Sequence, residues 1–125
     1  MNPGEPLPVL ERTITLADMV AYAGATWDWH RLHYDASYVE AAGLPKPVVD
    51  GQMLGALMAE QILDALGPKA FITNLAFKFR SMVYAEDIVR VEAELTEVQE
   101  AGVFVKQRVL VGDRLAAEGT AKVTL

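Results

Sequence analysis

The chain contains no cysteine. That excludes a disulfide framework, a thiolate nucleophile and a thiolate metal site, and it fits a reducing compartment, so a cytoplasmic location is expected. Basic residues are also scarce and never clustered: the 125 residues carry a formal net charge of -6. Neither a nucleic-acid groove nor an anionic membrane surface is expected as the main partner, because both demand concentrated Lys and Arg. Long apolar runs are missing too. The most hydrophobic stretch, Asp50 to Gly67, carries Glu60 and Asp64 and falls short of the roughly 20 apolar residues that a bilayer needs. The opening MNPGEPLPVLERT lacks a basic region followed by an apolar one, so it is not read as a signal peptide. No internal repeat or low-complexity tract interrupts the chain. The expectation is one domain over residues 1–125, with 52% apolar residues to fill a core.

What is present falls into a helical half and a sheet half. Pro3, Pro6 and Pro8 make residues 1–9 an extended arm in which no regular strand pairing is expected before Val9. Residues 13–25 place Leu16, Met19, Val20 and Ala23 on one helical face, with Thr15 as N-cap and Gly24 near the end. Residues 26–35, TWDWHRLHYD, mix aromatic, acidic and imidazole groups without a period. A further helical turn or two is expected over residues 36–42, ended by Gly43, and Pro45 and Pro47 then stiffen the approach to Asp50. The long helix follows. Met53, Leu54, Leu57, Met58, Ile62, Leu63 and Leu66 cover most of its circumference, so it needs cover on nearly every side. Asp50 is the expected N-cap and Gly67-Pro68 the stop, which leaves the Gly51 N–H near a positive dipole end that can hold an anion.

From Phe71 onward the period is two. In residues 71–79, Phe71, Thr73, Leu75, Phe77 and Phe79 are expected on one face, with Asn74, Lys78 and Arg80 opposed. Residues 88–98, 103–111 and 115–125 repeat the alternation, and their short connections imply antiparallel neighbours. The economical assembly is an α+β domain in which a curved antiparallel sheet wraps the long helix. Open sheet edges and an uncovered helix flank call for a second copy or a related chain, so a dimer at least is expected.

Chemistry is concentrated in the aperiodic segment. Asp28 and His33 would lie about 140° apart on a regular helix, so they converge only across a turn. Converged, they form an acid/base pair, because histidine titrates near neutral pH and a carboxylate can orient it and help hold a water. Just downstream, the helix start offers the glycine N–H that acyl chemistry needs where negative charge develops on a carbonyl oxygen.

The segment TWDWHRLHYDASYVEAAGLPKPVVDGQM resembles the hydratase signature of the MaoC-like dehydratases, the hot-dog-fold family that includes (R)-specific enoyl-CoA hydratases. In that family the core reads roughly S-G-D-x-N-P-x-H-x-D, with H-G-M further on. Asp28 stands at the catalytic Asp, His33 at the catalytic His, Asp35 at the second acidic position and Gly51 at the glycine of H-G-M. FKFRSMVYAEDIVRVEAELTEV resembles the family's F-x-x-P-V-x-x-G-D strand, turn and strand. The resemblance implies a hot-dog domain that reversibly hydrates a trans-2-enoyl-CoA to a 3-hydroxyacyl-CoA. Catalytic roles would fall to Asp28, His33 and Gly51, with no metal or redox cofactor. Lys78 and Arg80 are candidates for the phosphates of coenzyme A. The chain departs from the pattern where Trp27 replaces a small residue, His30-Arg31 replaces Asn-Pro, Asp50 replaces His and Gln52 replaces Met; the first two are expected to crowd the site. D-x-x-G-Q and the bulky residues resemble MaoC-like chains of steroid side-chain degradation, in which related subunits can pair. Competing readings are a non-catalytic partner subunit, an acyl-CoA thioesterase, for which the acids of the long helix, Glu60 and Asp64, come late and far from Gly51, and a metal site from Asp28, His30, His33 and Asp35.

Overall fold

A computed structural model describes residues 1–125. Strand β1 (Pro6–Thr13) leads into helix α1 (Leu16–Thr26); a 3-10 turn (Arg31–His33), helix α2 (Ala36–Ala41) and helix α3 (Gly51–Leu66) follow, and then β2 (Phe71–Phe79), β3 (Ile88–Gln99), β4 (Gly102–Val111) and β5 (Arg114–Thr124). The five strands form one antiparallel sheet in the order β1-β3-β4-β5-β2. It curves around α3 in a hot-dog arrangement, as the sequence implies.

The helix boundaries follow from their caps. Thr15 and Asp18 form a reciprocal capping box at the start of α1. Asp50 caps α3 by accepting the Gln52 N–H at 2.9 Å, and Gly67 ends it with a positive φ of 92°. Met58 and Ile62 on α3 are fully buried, as are Val91, Leu95, Val105 and Val109 on the sheet. Leu63, expected inside, is 42% exposed, so one flank of α3 stays uncovered.

The N-terminal arm departs from expectation. Pairing begins at Pro6, opposite Glu94, and Leu7 is opposite Ala93, before the register slips between Leu7 and Leu10. Pro8 sits inside that slip, where no ladder N–H is required, and β1 is an edge strand; proline is tolerated in both settings. A second slip, between Ile72 and Asn74, alters the expected face of β2. Ile72 joins Leu75 in the core cluster, whereas Phe71 is left 68% exposed.

Two polar residues occupy the core. Gln61 donates to the carbonyls of Pro8 at 3.0 Å and Val91 at 2.7 Å, and accepts from Gln107 at 2.9 Å; Gln107 also donates to the Met58 carbonyl. The pair therefore ties the bulge of β1, strand β3, strand β4 and helix α3 together.

Helix α3 approaches β2 closely because Gly51 and Gly55 lie one turn apart. A Cβ at Gly55 would stand 2.5 Å from the Phe77 ring, and one at Gly51 would overlap the Phe79 ring. Gly55→Ala gains about 1 kcal/mol of helix propensity but overpacks against Phe77 at a cost of about 2 kcal/mol. The expected net result is a lower thermal midpoint, read by calorimetry.

Candidate active site

Helix α1 ends at Trp27, which adopts the left-handed conformation with φ 58°. For a bulky non-glycine residue this is an uncommon state, and it turns the chain sharply so that Asp28 leaves the helix axis. The Asp28 carboxylate accepts the His30 N–H at 3.4 Å, and the His30 ring accepts the Leu32 N–H at 3.2 Å. These local bonds shape the 3-10 turn that ends in His33.

The His33 ring is fixed from behind. Its Nδ1 lies 2.7 Å from the Val48 carbonyl, and since a carbonyl can only accept, Nδ1 carries the proton and Nε2 of the neutral imidazole is an acceptor. Nε2 faces two carboxylates, Asp28 Oδ2 and Asp50 Oδ2, each at 3.9 Å. The side chains of His33 and Asp50 are each 13% exposed, and that of Asp28 is 44% exposed. The turn demanded by the sequence spacing is present, and it brings Asp28 and His33 together.

A carboxylate oxygen of Asp50 and one of Asp28 lie within 4.8 Å of one another. Burial pushes the Asp50 carboxyl above the usual carboxylate range, and its contact with Asp28 adds to the rise. Asp28 is held below that range, first by the hydrogen bond from Asp50 and then by the His30 N–H. Tyr22 on α1 belongs to the same neighbourhood: burial, then the charges of Asp50 and Asp28, raise its phenol. Sequence reasoning placed Tyr22 in an ordinary helix, and only the bend at Trp27 brings Asp28 near it.

Gly51, the third predicted residue, begins α3 directly after Asp50, and its N–H meets no acceptor within the protein. Such an N–H at a helix start is available to an anion. The Phe79 ring lies against the Gly51 Cα.

Other candidates fall away from this cluster. Asp35 caps α2 through the Ser37 and Tyr38 N–H groups and pairs with Arg31 at 2.9 Å. His30 is used in its turn and its ring packs edge-on against Tyr38. The four-residue metal set is therefore not assembled. Asp28, His33 and Asp50 bring ligand atoms within 4.8 Å of one another, but the 3.9 Å separations at His33 exceed the about 3.3 Å between ligand atoms of a tetrahedral zinc. Glu60 is held by Arg12 in two hydrogen bonds of 2.7 and 2.9 Å, and Arg80 pairs with Glu118 at 3.4 Å.

The expected crowding also needs correction. Trp27 is 80% exposed and Arg31 turns toward Asp35, so these two lie outside the cluster, and of the expected bulk only the His30 ring stays near it, 5.9 Å from the His33 ring between centroids. Trp27, Trp29 and Tyr34 instead form an edge-to-face row, with ring centroids 5.9 Å apart at each step. A cavity of about 440 Å³ lies over β1, β3 and β4 and shares no residue with the site. No helix is long and apolar enough to cross a membrane.

Comparisons with known proteins give the family and the fold. The model of the MaoC like domain matches residues 2–119. A mitochondrial 3-hydroxyacyl-[acyl-carrier-protein] dehydratase of Arabidopsis thaliana is 36% identical over 76 residues, 61% of this chain and 45% of the plant protein. The chain thus spans less than half of that relative's length. An (R)-specific enoyl-CoA hydratase of Aeromonas caviae is 26% identical over 92 residues, covering 73% of this chain and 69% of the hydratase. Among solved structures, a chain of the ChsH1-ChsH2 complex from Mycobacterium tuberculosis superposes with a TM-score of 0.94 at 24% identity, covering 100% of this chain and 98% of its own. The chain belongs to the MaoC-like dehydratase family of hot-dog proteins.

Proposed function

We propose that the chain catalyses reversible addition of water to a trans-2-enoyl-CoA thioester, giving a 3-hydroxyacyl-CoA. The observation that carries this reading is the convergence of Asp28 and His33 Nε2 at 3.9 Å beside the first turn of α3. A direct hydrogen bond is shorter than that separation, and a water held between the two groups is within reach of both. One member of the pair takes a proton from this water as its oxygen bonds to C3; the C2–C3 double bond becomes single, and a proton is delivered to C2 on the same face. Negative charge developing on the thioester oxygen is received by the Gly51 N–H and the positive end of α3. That interaction is stronger in the transition state than in the ground state. No metal or redox cofactor has a part in these steps. Lys78, beside the Phe79 end of β2, is the cation offered to the coenzyme A phosphates, with Arg80 after release from Glu118.

A second reading rests on the openness of the site. Asp28 is 44% exposed, and Trp27, Phe79 and Met82 expose large apolar surfaces. A second chain closing this side would complete the site. It would be a copy of this chain in a homodimer or a related subunit in a heteromer, and in the heteromer this chain could be the non-catalytic member.

The deciding assay gives the purified chain short, long and steroid-type enoyl-CoA substrates in turn and follows the loss of the conjugated thioester. Hydration by the chain alone is the expected result. Inactivity relieved only by a second protein would replace it with the partner reading. The proposed compartment is the cytoplasm.

A further inference from the structure

The Asp50 side chain serves two directions at once. Oδ1 accepts the Gln52 N–H at 2.9 Å, which is the whole of an N-cap; a serine or threonine hydroxyl would do this equally well. Oδ2 is turned the other way, to 3.9 Å from His33 Nε2, with an Asp28 carboxylate oxygen within 4.8 Å of an oxygen of Asp50. Capping leaves this second oxygen without a task.

We propose that Asp50 is a positioning residue of the hydration site that acts through Asp28: its second oxygen shares a proton with that carboxylate and so sets the pH at which Asp28 is free to act on the reacting water. The proposal rests on the hydration reading above. Two adjacent carboxyls titrate as a pair and resist double ionisation. The direction of each shift assigns the order: Asp28 sits below the carboxylate range and Asp50 above it. As pH rises, Asp28 ionises first while Asp50 keeps its proton and donates it to Asp28, which makes Asp28 a weak base. When Asp50 ionises, above the ordinary carboxylate range, that hydrogen bond is lost and Asp28 becomes the stronger base. Hydration should therefore gain rate as pH rises through the second step. The other titratable groups facing the pair are Tyr22 from α1 and His30 and His33 from the turn; the neighbouring element β2 contributes the uncharged Phe79 ring at Gly51.

Two substitutions separate positioning from capping. Asp50→Ser keeps a cap but removes the second oxygen, and Asp50→Asn keeps a cap and donates permanently. Both are expected to leave the thermal midpoint within a few degrees of wild type. Asp50→Asn should lower kcat at neutral pH at least about tenfold, and both should move the acid limb of kcat to lower pH. Carbon-13 titration of the aspartate carboxyls gives a readout that needs no activity: the Asp28 signal should move in two steps in the wild type and in one step in Asp50→Asn. Wild-type kcat and pH profile in both variants, or a one-step Asp28 titration in the wild type, would overturn the proposal. Failure of the hydration reading itself shows differently, as full activity after Asp28→Asn or His33→Ala, and the carboxyl titration still decides the Asp50–Asp28 pair.

Discussion

Hydratase activity falls about a thousandfold in His33→Ala, and by a similar factor in Asp28→Asn, within the 10²–10⁴-fold range of a positioned acid or base. The two losses have different physical origins. Alanine removes the imidazole, whereas asparagine keeps the shape of Asp28 and its bond from the His30 N–H but cannot accept a proton at that pH. The double variant should be little worse than either single one, since the two groups act on one water. Steady-state kinetics with the best enoyl thioester make the test, and full activity in either single variant would remove the mechanism. Because Asp28 is 44% exposed, Asp28→Asn should not unfold the domain, and near-wild-type circular dichroism is expected for it.

The largest expected loss of stability lies elsewhere, at Gln61→Leu. Leucine has nearly the same volume but cannot donate to the carbonyls of Pro8 and Val91 or accept from Gln107. Stranding buried polar groups costs about 1–3 kcal/mol each when no water replaces the partner. Pro8 lies on the exposed edge strand and can recruit water, so the sum is about 3 kcal/mol. At roughly 4 °C per kcal/mol for a domain of this size, the thermal midpoint should fall by about 12 °C. Adding Gln107→Leu should cost less than its own single effect, because Gln107 has already lost its acceptor and its own Oε1 has no partner. A midpoint unchanged by Gln61→Leu would mean that the glutamines do not join the layers.

The parts of the fold readable in advance are those governed by neighbours in sequence. Thr15, Asp50 and Gly67 mark helix ends through bonds that span a few residues, and β3 to β5 alternate over most of their length because one face is buried and the other wet, the exceptions falling at the slips after Leu95 and Val109. What escaped prediction depends on distant partners. Pro8 is tolerable only because β3 meets it at a register slip, and Phe71 is displaced outward only by the bulge after Ile72. Gln107 shares the buried face of β4 with Val103, Val105 and Val109, and only the bond it donates to Gln61 across the layers gives its amide a partner from another glutamine. The pairing of Asp28 with His33 was legible as a spacing that required a turn, and as a family motif. The second direction of Asp50 and the proximity of Tyr22 were not, since they arise from the left-handed bend at Trp27.

His33 is anchored through the Val48 carbonyl, and that segment is itself tied down. The Val49 N–H donates to the Val83 carbonyl at 2.8 Å, the Ala85 N–H donates to the Pro47 carbonyl at 2.9 Å, and Val48 bridges Tyr84. The carbonyl that anchors the imidazole cannot shift without peeling a two-stranded seam apart, so the direction it sets is inherited from the stretch leading into β3, some fifty residues away in the chain. That seam is a remote handle on reactivity: sequence drift around Tyr84 can retune the aim of the imidazole without altering any residue that meets the substrate.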